Sequence, residues 1–140
     1  MGTNNMSKTI LVIDDEPEQR DLVRTILRPD AYTILEASDY NDALAVQAAH
    51  FGVIDLALVD VSLPGRNGYE LSKALLAIEP HLKVLFVSGY AGAELCRFFG
   101  LPVTDVHFLQ KPVEPAELLS RVKFVLALAD PLAGKASAAP

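Results

Sequence analysis

The sequence predicts an open, doubly wound α/β fold, a five-stranded parallel sheet with helices on both faces. Three observations predict it. Five short apolar runs rich in β-branched or aromatic residues recur along the 140 residues, segments with helical spacing separate them, and no solenoid-type repeat appears. The runs are apolar nearly throughout, as expected of strands covered on both faces.

In order, Thr9 to Asp14 is the first strand, followed by a helical stripe of Leu22, Val23, Ile26 and Leu27. Thr33 to Ala37 is the second. Asp39 then caps a helix running to about His50, with Ala43, Leu44, Ala48 and Phe51 as its apolar face. Leu56 to Asp60 is the third strand, and Leu71, Ala74, Leu75 and Ile78 make the next stripe. Lys83 to Ser88 is the fourth strand. Ala91 to Phe99 reads as a short helix closed by Gly100, Leu101 and Pro102, and Val106 to Gln110 is the fifth strand. Pro115 suits the first position of a last helix, whose stripe is Leu118, Val122, Val125 and Leu126. Residues 1–7 read as a flexible leader, 8–129 as one domain and 130–140 as a flexible tail.

Composition narrows the function classes. The chain carries 18 Asp and Glu against 12 Lys and Arg, a net charge of −6, and its mean hydropathy is +0.27. Such a chain is too apolar to be disordered, yet has no run approaching the ~20 apolar residues of a membrane span. The acidic balance without a basic stretch predicts no nucleic acid and no membrane as partner. Cys96, the single cysteine, excludes an internal disulfide and a thiolate metal cage. A polar start without a signal-peptide core predicts a cytoplasmic protein.

In doubly wound folds ligands sit outside the carboxyl ends of the strands. The residues there are Asp14 and Asp15, Asp60, Ser88 and Lys111. Singly, each reads as a helix cap, a turn residue or a solvated charge. Jointly, three carboxylates, a hydroxyl and an ammonium converge on one rim with a local charge of −2, and carboxylates this close resist full ionisation. Oxygen-only ligands without His or Cys suit Mg²⁺, or Mn²⁺ in its place, and Mg²⁺ pairs with phosphate oxygens. Setting aside Asp14, Asp15, Asp60 and Lys111 leaves 15 acids and 11 bases, so a third of the net charge belongs to one pocket.

Four motifs carry a resemblance: Ile13-Asp14-Asp15-Glu16-Pro17, Val59-Asp60-Val61-Ser62-Leu63-Pro64-Gly65 with Gly68, Val87-Ser88-Gly89, and Gln110-Lys111-Pro112. In this order and spacing the sequence resembles the receiver domain of two-component response regulators, over roughly Lys8 to Ala129. The wording around Ser88 and Lys111 also resembles receivers associated with hybrid sensor histidine kinases. The resemblance implies a flavodoxin-like sheet of strand order 2-1-3-4-5, with Asp60 as phosphoacceptor. It implies Mg²⁺ on Asp14, Asp15, Asp60 and the backbone carbonyl of Ser62, and Lys111 stabilising the phosphoryl group. Ser88 and Phe108 are then the switch pair, Ser62 and Tyr90 tune the phosphoryl lifetime, and the Lys111-Pro112 peptide is cis. A Phe in place of a phenol at 108 gains no hydrogen bond outside, so an inward ring is expected even without phosphate. Val113 and Glu114 depart from the commonest pattern, and Glu114 caps a helix less well than Ser or Thr.

The implied protein is a phosphoacceptor signalling domain of a two-component system or phosphorelay, not an enzyme acting on other molecules. Its partners are a sensor histidine kinase or histidine phosphotransfer protein, and a downstream protein on a face of the last two helices that includes Phe98, Phe99, His107 and Arg121. A monomer or weak homodimer is expected, with no effector domain in so short a chain. Three rival readings compete with this one. A haloacid-dehalogenase-type phosphohydrolase wants an acid two residues after the nucleophile, where this chain has Ser62. A flavodoxin-like redox protein wants a phosphate loop where two aspartates stand. The third is a receiver-like interaction module independent of phosphate.

Overall fold

The computed structural model describes residues 8–91, 94 and 107–128. Five strands, β1 (Thr9–Ile13), β2 (Thr33–Ala37), β3 (Leu56–Asp60), β4 (Lys83–Ser88) and β5 (Phe108–Gln110), form one parallel sheet in the order β2-β1-β3-β4-β5. The described helices are α1 (Pro17–Leu27), α2 (Tyr40–Ala49), α3 (Gly68–Ile78) and α4 (Pro115–Ala127), with a 3₁₀ turn at Arg28–Asp30. The doubly wound fold and its strand order are as the sequence implied.

Strand alternation builds two cores. Ile10, Val12, Leu56, Leu58, Leu85 and Val87 face one side and pack with Val23, Ile26 and Leu27 of α1 and Leu118, Val122 and Val125 of α4. Leu11, Ile13, Ala57 and Val59 face the other side, against Ala43 of α2 and Leu71 and Leu75 of α3. Because successive side chains point to opposite faces, an unbroken apolar run serves both layers. The β1–β3 register, Ile10 opposite Leu56 through Ile13 opposite Val59, keeps each layer continuous across the central strands.

Several expected details shift. The first strand ends at Ile13, and the fifth begins at Phe108, with His107 in a 3₁₀ turn. Leu22 is 42% exposed, because the i, i+3, i+4 stripe of Val23, Ile26 and Leu27 already fills the face that α1 turns to the sheet. Ile78 ends α3 at 49% exposure, in a cleft it lines with Phe51 and Leu82. In α2 the expected Ala48 and Phe51 are exposed; Phe51 lies past the end of the helix at Ala49, where the helical phase no longer applies. Gln47 takes the inward place instead, its amide donating to the Leu75 carbonyl at 3.0 Å and to Glu79 at 2.8 Å. The leader, the tail, Cys96, Phe98, Phe99, Val106 and most of the helix expected over Ala91 to Phe99 lie outside the described residues. Among the described residues no helix is long and apolar enough to cross a membrane.

Candidate functional site

A parallel sheet delivers every strand's carboxyl end to one edge, and there the chemistry-bearing residues meet. Asp14 directly follows β1. Its N–H donates to the Ala37 carbonyl at 3.1 Å, and its Oδ1 accepts from the Glu16 N–H at 3.0 Å, turning the chain into α1. Asp60 is the last residue of β3, and its Oδ1 accepts from the Ser62 N–H at 3.0 Å. Ser88 ends β4, with its Oγ accepting from the Tyr90 N–H at 3.0 Å. Lys111 follows β5 and extends the ladder by donating its N–H to the Ser88 carbonyl at 2.7 Å.

Lys111 Nζ stands 3.0 Å from Asp14 Oδ2 and 3.4 Å from Asp60 Oδ2. Asp14, Asp15 and Asp60 each offer a carboxylate oxygen within 4.8 Å of the others. Asp14 and Asp60 are 6% and 5% exposed and Ser88 is fully buried, whereas Asp15 is open to solvent. Burial pushes the Asp60 carboxyl above the ordinary Asp pKa and the Asp14 charge adds to this, against the Ser62 N–H and Lys111. Burial alone would lower Lys111, but its bonds and charge attraction to Asp14 and Asp60 outweigh that and hold it above the usual Lys value.

Around this pocket, Gly68 explains its own place in the motif. A Cβ there would lie 2.3 Å from the Asp60 carbonyl oxygen, and the Gly68 N–H donates to the Val61 carbonyl at 2.9 Å. No side chain fits between α3 and the end of β3. Phe108 is half-buried with Tyr69 and Phe86 against Val61, and its carbonyl accepts from Arg121 Nη1 at 2.8 Å. Tyr90 is 41% exposed, Ser62 is exposed, and the Lys111–Pro112 peptide bond is cis. His107 and Arg121 are half-buried.

Sequence reasoning missed Arg20 and Glu36. Arg20 Nη1 donates to the Asp14 carbonyl at 2.6 Å and its Nε to Glu36 Oε1 at 3.0 Å. The available signal was Glu36 itself, a lone charge inside the run TILEA.

The sequence profile of the response regulator receiver domain matches residues 10–123. The chain belongs to this family. Among its relatives, the response regulator GtcR of Aneurinibacillus migulanus is 35% identical over 84% of this chain and 47% of its own length. The phosphate regulon transcriptional regulatory protein PhoB of Pseudomonas aeruginosa is 34% identical over 86% of this chain and 52% of its own. The chain therefore spans about half the length of these curated relatives. Among solved structures, a CheY-like receiver domain protein of Methanospirillum hungatei superposes with a TM-score of 0.73 at 32% identity, covering 86% of this chain and 94% of that one. The receiver domain of the hybrid histidine kinase CckA is 35% identical with a TM-score of 0.69, over 84% and 98% of the two chains. TrrA of Thermotoga maritima, solved in complex with Mg²⁺-BeF, gives 0.72 at 27% identity over 84% and 98%. This chain is thus a receiver domain of response regulators, a signalling family rather than one of classical enzymes.

Proposed function

We propose that this receiver accepts a phosphoryl group on Asp60 from a phosphohistidine of a sensor histidine kinase or histidine phosphotransfer protein. The observation that carries this reading is the meeting of Asp14, Asp15 and Asp60 within 4.8 Å, with Lys111 Nζ on Asp14 and Asp60. An Oδ of Asp60 bonds to phosphorus as the P–N bond to the donor imidazole breaks, and the leaving nitrogen keeps the electron pair. A carboxylate nucleophile needs no base, so catalysis is positioning and electrostatics.

The donor set fits a hard divalent cation: three carboxylates, no His or Cys, and a net local charge of −2 after Lys111. Asp14, Asp15, Asp60 and the Ser62 carbonyl would hold Mg²⁺, with Mn²⁺ as a substitute. When bound, Mg²⁺ supplies charge neutralisation for the acids and the phosphoryl oxygens. TrrA, crystallised with Mg²⁺-BeF, supports this assignment. Lys111, already anchored to Asp14 and Asp60, stabilises the transferring group from the other side.

Ser88 and Phe108 form the switch. The Ser88 hydroxyl accepts from the Tyr90 N–H and so keeps its own proton to donate to a phosphoryl oxygen. Phe108 packs toward Val61, in keeping with an inward ring. Ser62 and Tyr90 flank the acceptor region and set the phosphoryl lifetime, and Tyr90→Ala should shorten it. Output passes by protein contact on the β5 and α4 side, where His107 and Arg121 lie. We read the protein as cytoplasmic and a monomer or weak dimer, with the CckA likeness supporting a link to hybrid kinases. Several relatives are named transcriptional regulators, so contact with nucleic acid by any further part of the protein is a separate question from this domain's own chemistry.

The deciding experiment incubates the protein with Mg²⁺ and a small acyl-phosphate donor, with Asp60→Ala as control. A mass gain of one phosphoryl group in the parent and none in Asp60→Ala is expected. Failure of the parent to gain it would overturn the reading in favour of a phosphate-independent interaction module.

A further inference from the structure

Arg20 is the fourth residue of α1, yet its guanidinium reaches back to the end of β1. There it makes the 2.6 Å bond to the Asp14 carbonyl while its Nε holds Glu36 at 3.0 Å. Its side chain is 17% exposed, so water competes poorly for these bonds. Glu36 is fixed in turn: it sits on β2 opposite Val12, and its other oxygen pairs with Arg24, which also pairs with Asp21. The network therefore joins β1, β2 and α1 at one point, the Asp14–Asp15 peptide.

That peptide is where orientation is decided. Its carbonyl direction sets the plane from which the Asp15 Cα and Cβ depart, and Asp15 is exposed, with little packing to hold it. We propose that Arg20, braced by Glu36, is a positioning residue for divalent-cation binding, preorganising the Asp14–Asp15 turn so that both carboxylates meet Asp60 at one point. This rests on the reading that the acidic cluster holds Mg²⁺.

Charge alone argues the opposite sign. A guanidinium beside a cation site repels the cation, so neutralising it should tighten Mg²⁺ binding, and neutralising Glu36 should loosen it. Positioning predicts loosening from both. Partners that orient ligands from behind typically cost 10–100-fold in metal affinity when removed. Mg²⁺ titrations of the full chain, followed by calorimetry and amide NMR, decide the matter. Arg20→Gln should bind Mg²⁺ about tenfold more weakly, and Glu36→Gln should also weaken it. Arg20→Lys keeps the charge but loses the fork, so it too should weaken binding, by less. It is decisive if Arg20→Gln fails to fold. Unchanged or tighter binding in Arg20→Gln, or unchanged binding in Arg20→Lys, would overturn the positioning role. The parent and Asp15→Asn separate the two readings: a parent that binds no Mg²⁺ defeats the metal site and this inference with it. Binding lost in Asp15→Asn but untouched by both Arg20 variants defeats this inference alone.

Discussion

Asp60 carries a charge that the fold makes costly. Its carboxyl is raised by burial and by Asp14, so the folded chain holds that proton to higher pH than the unfolded chain. Without a divalent cation, this group's contribution to stability is therefore greatest at low pH and is lost as pH rises from the ordinary Asp value through the raised one. Asp60→Asn should remove that slope and raise the melting temperature in metal-free buffer at neutral pH by on the order of a few degrees, since Lys111 keeps Asp14 as its partner. Calorimetry at several pH values checks it, and a lower melting temperature would contradict it. Gly68 tests the opposite sensitivity. With its Cβ position 2.3 Å from the Asp60 carbonyl, Gly68→Ala must push α3 away from β3. A loss of about 1–3 kcal/mol in denaturant unfolding is expected, together with slower phosphorylation because the backbone of the proposed acceptor moves.

Among the elements, the helix starts differ in a measurable way. Asp39 caps α2 by accepting the Asp42 N–H at 2.8 Å, and Asn67 caps α3 by accepting the Glu70 N–H at 2.9 Å. Glu114, at the start of α4, makes no side-chain cap bond, although Pro115 follows it in the favoured place. Asp39→Ala should then cost about 1 kcal/mol, whereas Glu114→Ser should stabilise by about 0.5 kcal/mol or more. Urea unfolding with unchanged m-values would measure both. Equal effects at the two sites would show that cap chemistry is not what distinguishes them. The element scale also shows where periodicity misleads. The apolar face expected of α2, Ala43, Leu44, Ala48 and Phe51, is buried at Ala43 but exposed at Ala48 and Phe51, and Gln47 takes an inward place, its amide nitrogen donating to the Leu75 carbonyl and to Glu79.

Across the whole molecule, two cores on opposite faces of one sheet hold the acidic edge in place, while the buried charge of Asp60 at that edge opposes folding. A cation bound only by the folded chain stabilises it. Mg²⁺ at 100 times its dissociation constant should stabilise the domain by about 2.7 kcal/mol. The gain should grow with the logarithm of concentration and be absent in Asp15→Asn. A melting temperature insensitive to Mg²⁺ would argue against the metal site.

The sheet and the acidic residues at its edge follow from local patterns in the chain. Strand runs such as LALVD and KVLFVS are local, and the residues ending them follow directly from the chain. Asp14, Asp15, Asp60, Ser88 and Lys111 are therefore legible from the sequence, because a parallel sheet brings all its carboxyl ends to one edge. What holds those residues in place is set by packing in three dimensions. The Arg20 to Asp14 bond, the Glu36 brace and the contact forbidden to a Gly68 Cβ join residues through space, at angles and depths that no spacing encodes. Leu22 and Ile78, expected in the buried stripes, are exposed for the same reason: which side of a helix is covered depends on how far its neighbours extend.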